Sequence, residues 1–201
     1  PVFKTYDAPL RVVRVHTPPY LRDAATRPPA GNVVLTVPFA VSGSSQPMLW
    51  QAMQGMRFRL AGAALKTPNA FGGPVGAGAP GSARRILTDL TIGGTALPAG
   101  SNAQLATVRT ALQSWRVDQV VVTGASRDPV YASGFLTAAL GTAPVFERRA
   151  WVWKVAPGQA LAAPVTGIPL STCRAFAATP GERQKPMTMA RCVLFAGGRA
   201  A

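Results

Sequence analysis

Two short apolar runs set the strongest constraint on how this chain folds. In NVVLTVPF (32–39) and DQVVVTG (118–124) the central residues are apolar with no polar alternation. A strand with one wet face alternates, whereas a continuous apolar run reads as a strand buried on both faces. Such strands belong to a sheet covered by helices on each side.

The text between the runs supplies those helices. QPMLWQAMQG opens with Pro47 as its first helical residue, has Ser45 or Gln46 near the N-cap, and stops at Gly55. RRILTDLTIG reads as a short helix. In AGSNAQLATVRTALQSWRV, Ser101 caps a helix whose Leu105, Val108, Leu112 and Trp115 form one stripe. DPVYASGFLTAALG opens at Pro129 and closes at Gly141. MRFRLAGA alternates as a half-buried strand, with Met56, Phe58 and Leu60 to one side and Arg57 and Arg59 to the other. ERRAWVWKVA is a further strand with Trp151 and Trp153 on one face, where core packing is the simpler use of the rings. Strands alternating with helices predict an α/β fold: a layered, largely parallel sheet flanked by helices, with a small C-terminal β appendage.

The organisation expected is an N-terminal extended segment or linker over 1–31, an α/β core over 32–155 and the β appendage over 156–201. The first segment holds six of the 19 prolines, a possible edge strand at Val12 to Val15 and one short helical turn. TPNAFGGPVGAGAPGSARR (67–85) has too many breakers for regular structure. The chain begins at Pro1 with no signal-peptide pattern, and reads as a piece of a longer protein. No stretch approaches the ~20 apolar residues of a membrane helix.

Charge enters where partners are considered. Lysine and arginine total 21 against 7 acids, a net charge of +14, while 48% of residues are hydrophobic. That apolar content excludes a disordered polybasic tail. It describes a folded domain with a positive surface, open to phosphorylated glycolipids, anionic head groups, acidic polymers or nucleic acid. The arginines are scattered and form no nucleic-acid module, which speaks against nucleic acid. Cys173 and Cys192 lie in similar short apolar runs, STCRAFAA and ARCVLFAG. Paired strands would set them face to face, so a disulfide in an oxidising compartment is expected, with two buried thiols as the alternative.

Catalytic signatures are scarce. His16 is the only histidine, no serine sits in a nucleophile-elbow pattern, and the seven acids are dispersed. Asp89 with Asp118 could converge as a glycosidase pair, but the spacing does not favour it. Asp118 suits a helix-to-strand turn, and Asp89 and Asp128 suit caps or the surface. No zinc-ligand cluster, phosphate-binding glycine loop or other cofactor motif is present, so no metal, cofactor or catalytic residue is assigned.

MLWQAMQGMRFRLAG (48–62) remains. On its helix Trp50 and Gln54 share a side with Gln51 beside them, and Arg57 and Arg59 follow on one strand face. Glutamine amides bind sugar hydroxyls, a tryptophan ring packs on a pyranose, and arginine grips phosphate. Trp50, Gln51, Gln54, Arg57 and Arg59 are therefore the candidate ligand contacts. In the alternative, the glutamines satisfy backbone groups at the helix end and the arginines are solvated.

Together with PPAGNVVLTVPFA, VRTALQSWRVDQVVVTG and AWVWKV, that stretch resembles the C-terminal soluble regions of multi-spanning actinobacterial membrane proteins of the GT-C glycosyltransferase type. The resemblance covers roughly 17–155 and is most specific at 48–62. It implies an accessory domain at the extracytoplasmic face of the cytoplasmic membrane, serving cell-envelope glycan assembly. Its partners would be its own transmembrane domain, an envelope glycan or polyprenyl-phosphate sugar, and the anionic membrane surface. Catalysis would lie in the membrane part. Two rivals are a free-standing secreted hydrolase, relying on His16 or an acid, and a non-catalytic protein-interaction scaffold.

Overall fold

The computed structural model describes residues 15–41, 44–62, 81–93 and 97–155. Its elements are α1 (Pro19–Arg22), β1 (Val33–Val37), α2 (Gln46–Met53), β2 (Arg59–Leu60), α3 (Ala83–Ile92), α4 (Asn102–Ser114), β3 (Gln119–Thr123), α5 (Pro129–Leu140), β4 (Val145–Glu147) and β5 (Ala150–Lys154). The sheet order is β2-β1-β3-β5-β4. β1 pairs in parallel with β2 and β3, while β5 runs antiparallel to both β3 and β4. Four of the five described strands thus share one direction. The layered, largely parallel α/β sheet predicted from the apolar runs is the observed fold.

Alternate residues of the central strands feed two cores. Val33, Leu35 and Val37 of β1, Val120 and Val122 of β3, and Trp151 and Trp153 of β5 face α3, α4 and α5. Val34, Val121, Ala150 and Val152 face the other way, onto Tyr20 and Leu21 of α1, Trp50 of α2, and Phe58. Both faces are covered, so β1 and β3 are buried at every position. The two tryptophans of AWVWKV are core residues, as the simpler reading has it. The helical turn expected in the N-terminal segment is α1, and it is packed on the sheet: Tyr20 and Leu21 are fully buried.

The helix ends follow from local chemistry. Ser101 and Gln104 form a reciprocal capping box at the start of α4. The Asp128 carboxylate accepts the Tyr131 N–H at 3.0 Å to open α5, and left-handed Gly141 closes it. Asp118 stands at the expected helix-to-strand turn. Its carboxylate accepts the Val33 N–H at 2.7 Å, and its backbone carbonyl accepts the Val155 N–H, so one residue ties β1, β3 and the end of β5.

Two strand expectations are corrected. ERRAWVWKVA is not one strand, because Arg148 and Arg149 (φ 46° and 62°) form a two-residue hairpin turn between β4 and β5. Such turns need positive φ at both central residues and normally advertise themselves with Asn-Gly; two arginines carry no such signal. Arg148 is held by Asp23 at 3.0 Å. MRFRLAGA does not alternate throughout either. Met56 is left-handed (φ 57°) and 63% exposed, and pairing begins only at Arg59. Gly55, also left-handed, ends the helix, and the chain needs a second left-handed residue before it can re-enter the sheet. Arg14 and everything before it, 63–80 of the Gly/Pro loop, and the 156–201 appendage with Cys173 and Cys192 lie outside the described residues.

Burial of Tyr20 has a consequence at high pH. Its hydroxyl donates to Gln119 Oε1, and desolvation, aided by nearby Glu147, pushes its pKa up to about 12. The unfolded chain releases this proton from about pH 10. Between those values the unfolded state binds fewer protons, so stability falls as pH rises, by up to ~3 kcal/mol, and then levels off. Urea unfolding at pH 9 and pH 12 should show this fall in the native chain. The fall should be smaller in Tyr20→Phe; an identical fall in both would assign it to other groups.

Candidate functional site

Among the described residues the topology opens a crevice beside β1 and β3. β1 leads into α2, which lies on one face of the sheet, while the adjacent β3 leads into α5 on the other. Where neighbouring parallel strands send the chain to opposite faces, a cleft opens outside their carboxyl ends, the usual ligand position in open α/β sheets. A cavity of about 610 Å³ occurs there. Pro38, Ser44, Ser45 and Gln46 border it from the segment after β1, and Ala125 and Arg127 from the loop after β3.

The polar groups of this rim are unequal. Thr91, also at the cavity, is spent: its hydroxyl accepts the Phe39 N–H at 2.7 Å and donates to the Leu87 carbonyl at 2.9 Å. The Ser45 side chain makes no capping bond to α2. Arg127 is exposed, and one guanidinium N–H donates to the Ile92 carbonyl at 3.4 Å. Among the described residues no carboxylate pairs with it. Its stem lies over Gly93, where a Cβ would sit 3.2 Å from Arg127 Cβ. In the same loop the Ser126 hydroxyl is buried without a partner. A cationic group beside hydroxyls and an apolar wall of Pro38, Leu49 and Ile92 suits a polar, anionic ligand of modest size.

The residues singled out in 48–62 lie elsewhere and divide into two sets. Trp50 is 1% exposed within the core, and its indole N–H donates to the His16 carbonyl at 3.0 Å. The Gln51 amide donates to the Phe58 carbonyl at 2.6 Å, and Gln54 caps the end of α2. In this conformation the Trp50 ring is not open to a sugar, and Gln51 does the backbone-satisfying work held out as the alternative. Arg57 and Arg59 are exposed. Arg59 pairs with Val33, at the amino end of β1, and its Nε donates to the Gly31 carbonyl at 3.3 Å. They therefore stand at the opposite end of the sheet from the crevice.

The crevice did have a sequence signal. VSGSSQP and TGASRDP each put a loop of small residues between a buried strand and a helix opening at proline. Two such units in one chain mark both sides of the cleft.

The groups a hydrolase would use are engaged otherwise. Asp89 pairs with Arg85 at 3.1 Å, and Asp118 is bonded to the Val33 N–H. The His16 side chain is exposed and does not line the cavity. Among the described residues no cluster of three or more His, Cys, Asp or Glu side chains could hold a metal ion. Burial lowers the pKa of Arg109, whose guanidinium donates to the Ala139 carbonyl at 2.9 Å. No protein-family model, curated protein or solved structure matches this chain.

Proposed function

We propose that this chain is an accessory binding domain of a membrane glycosyltransferase-like protein. It works at the extracytoplasmic face of the cytoplasmic membrane and receives a sugar phosphate or phosphate-bearing glycan in the β1/β3 crevice during cell-envelope assembly. The observation that carries the reading is the position and lining of the crevice. Arg127 stands there without a carboxylate partner among the described residues, beside Ser44, Ser45 and Gln46. Arginine offers two parallel donors to phosphate, and the hydroxyl and amide groups suit sugar oxygens. Pro38 and Ile92 give an apolar surface for a ring face. The resemblance of 48–62 to the GT-C class supports the setting, and catalysis stays with the membrane part that the resemblance implies.

Calorimetric titration of the chain with a short-chain prenyl-phosphate sugar tests this. Binding is expected to weaken at high salt. Arg127→Ala should lower affinity about 10–100-fold, the loss of charge-assisted hydrogen bonds worth about 1.5–3 kcal/mol. Arg57→Ala with Arg59→Ala should leave this affinity unchanged, because those residues lie at the other end of the sheet. The reverse pattern would move the site there, and no binding by the native chain would sink the proposal.

A further inference from the structure

Helix α2 is apolar on both sides. Pro47 and Trp50 face the core. The opposite arc presents Met48, Leu49, Ala52 and Met53 to solvent, with the first, second and last 36%, 41% and 59% exposed. Positions 48, 49, 52 and 53 are neighbours on one helical surface, and no polar side chain interrupts them. Met56, 63% exposed, extends the ridge from the turn beyond the helix. Scattered exposed apolar residues are ordinary, but a contiguous ridge marks an interaction surface. Met56 also sits in the left-handed region, which disfavours a long side chain. Keeping a methionine there costs stability and leaves apolar surface in water.

The surroundings are of one sign. Exposed Arg57 and Arg59 follow the ridge directly, and no acidic residue occurs between Asp23 and Asp89. Among the described residues neither arginine has an ion-pair partner. Among the described residues the ridge's one side-chain hydrogen bond runs from the Thr17 hydroxyl to Met53 Sδ at 3.4 Å, so it offers a partner little beyond apolar surface and the flanking arginines. A bilayer interface needs apolar side chains to enter the acyl boundary and cations to meet the lipid phosphates. We infer that the outer face of α2, with Met53 and Met56 as its foremost side chains and Arg57 and Arg59 beside them, docks on an anionic lipid bilayer. This deepens the membrane-proximal setting proposed above; the ridge shares only Leu49 with the crevice wall, and Met53, Met56, Arg57 and Arg59 lie outside it, so variants at those four positions let the two readings fail separately.

Sedimentation of the full chain with vesicles tests it. Vesicles of phosphatidylglycerol and phosphatidylcholine should bind the chain, and pure phosphatidylcholine vesicles should bind it far less. Replacing Arg57 and Arg59 by glutamine should weaken binding about 20–30-fold, two basic contacts of about fivefold each. Met53→Ser with Met56→Ser, a pair of exposed changes that preserves the charge, should weaken it about tenfold or more. Met56→Asn should weaken binding while raising the unfolding temperature, since asparagine accepts the left-handed backbone; this opposite movement excludes misfolding as the cause. Arg127→Ala should leave vesicle binding intact. Absence of vesicle binding overturns the inference, as does undiminished binding by the double serine variant, which would reduce it to charge attraction alone. Lipid-independent self-association that consumes the ridge would replace the bilayer with a second copy of the chain.

Discussion

Trp50→Ala should cost about 3–5 kcal/mol of stability, the range for emptying a buried aromatic site. The ring is 1% exposed and packs in one cluster with Tyr20, Leu21, Val34, Phe58, Val121 and Val152. It joins α1, α2 and the sheet, so its loss opens a cavity where three elements meet. The substitution also orphans the His16 carbonyl, which now accepts the indole N–H. Domains of this size have only about 5–15 kcal/mol to lose. Trp50→Phe retains most of the volume and should cost clearly less. Urea midpoints for the two variants decide the role. A change below ~1 kcal/mol for the alanine variant would mean that the ring does not hold the layers together.

Gly62→Ala should cost about 2–4 kcal/mol although it adds only one methyl group. Two effects add. Gly62 has φ +60°, where a side chain is strained. A Cβ there would also lie 2.6 Å from the Trp115 ring, and overpacking typically costs 1–3 kcal/mol. The ring cannot easily withdraw, because it stacks on Phe39 with centroids 6.3 Å apart and planes 10° from parallel. Trp115→Leu in the Gly62→Ala background should return part of the loss by relieving the contact, but not the backbone share. Strict additivity of the two changes would show that the close approach is absent.

Both residues show how far the sequence could be read. Pro47 and Gly55 bracketed α2 because proline suits a first turn and a left-handed glycine ends a helix. Which side of α2 is buried was not legible: QPMLWQAM is apolar nearly all round, so periodicity could not separate core-facing Trp50 from solvent-facing Met53. The burial of Trp50 and the bond from Gln51 to the Phe58 carbonyl follow from that choice of face. Arg57 and Arg59, either side of buried Phe58, are exposed. Their distance from the crevice, however, depends on the register that sets Arg59 against Val33.

The chain alone determined its fold class. NVVLTV and QVVVT are too apolar to leave either face wet, so they demanded helices on both sides, and local capping at Ser101, Asp128 and Gly141 placed the helix ends. Strand order, the Arg148–Arg149 hairpin and the crevice were settled only by tertiary structure. Strand order and the crevice arise from contacts between residues remote in sequence, Val34 against Gln119 and the segment after β1 against the loop after β3, whereas the hairpin is a local pairing of Glu147 with Ala150 through a turn that two arginines do not signal. Periodicity reports which faces a segment must bury. It carries no record of which neighbour buries them.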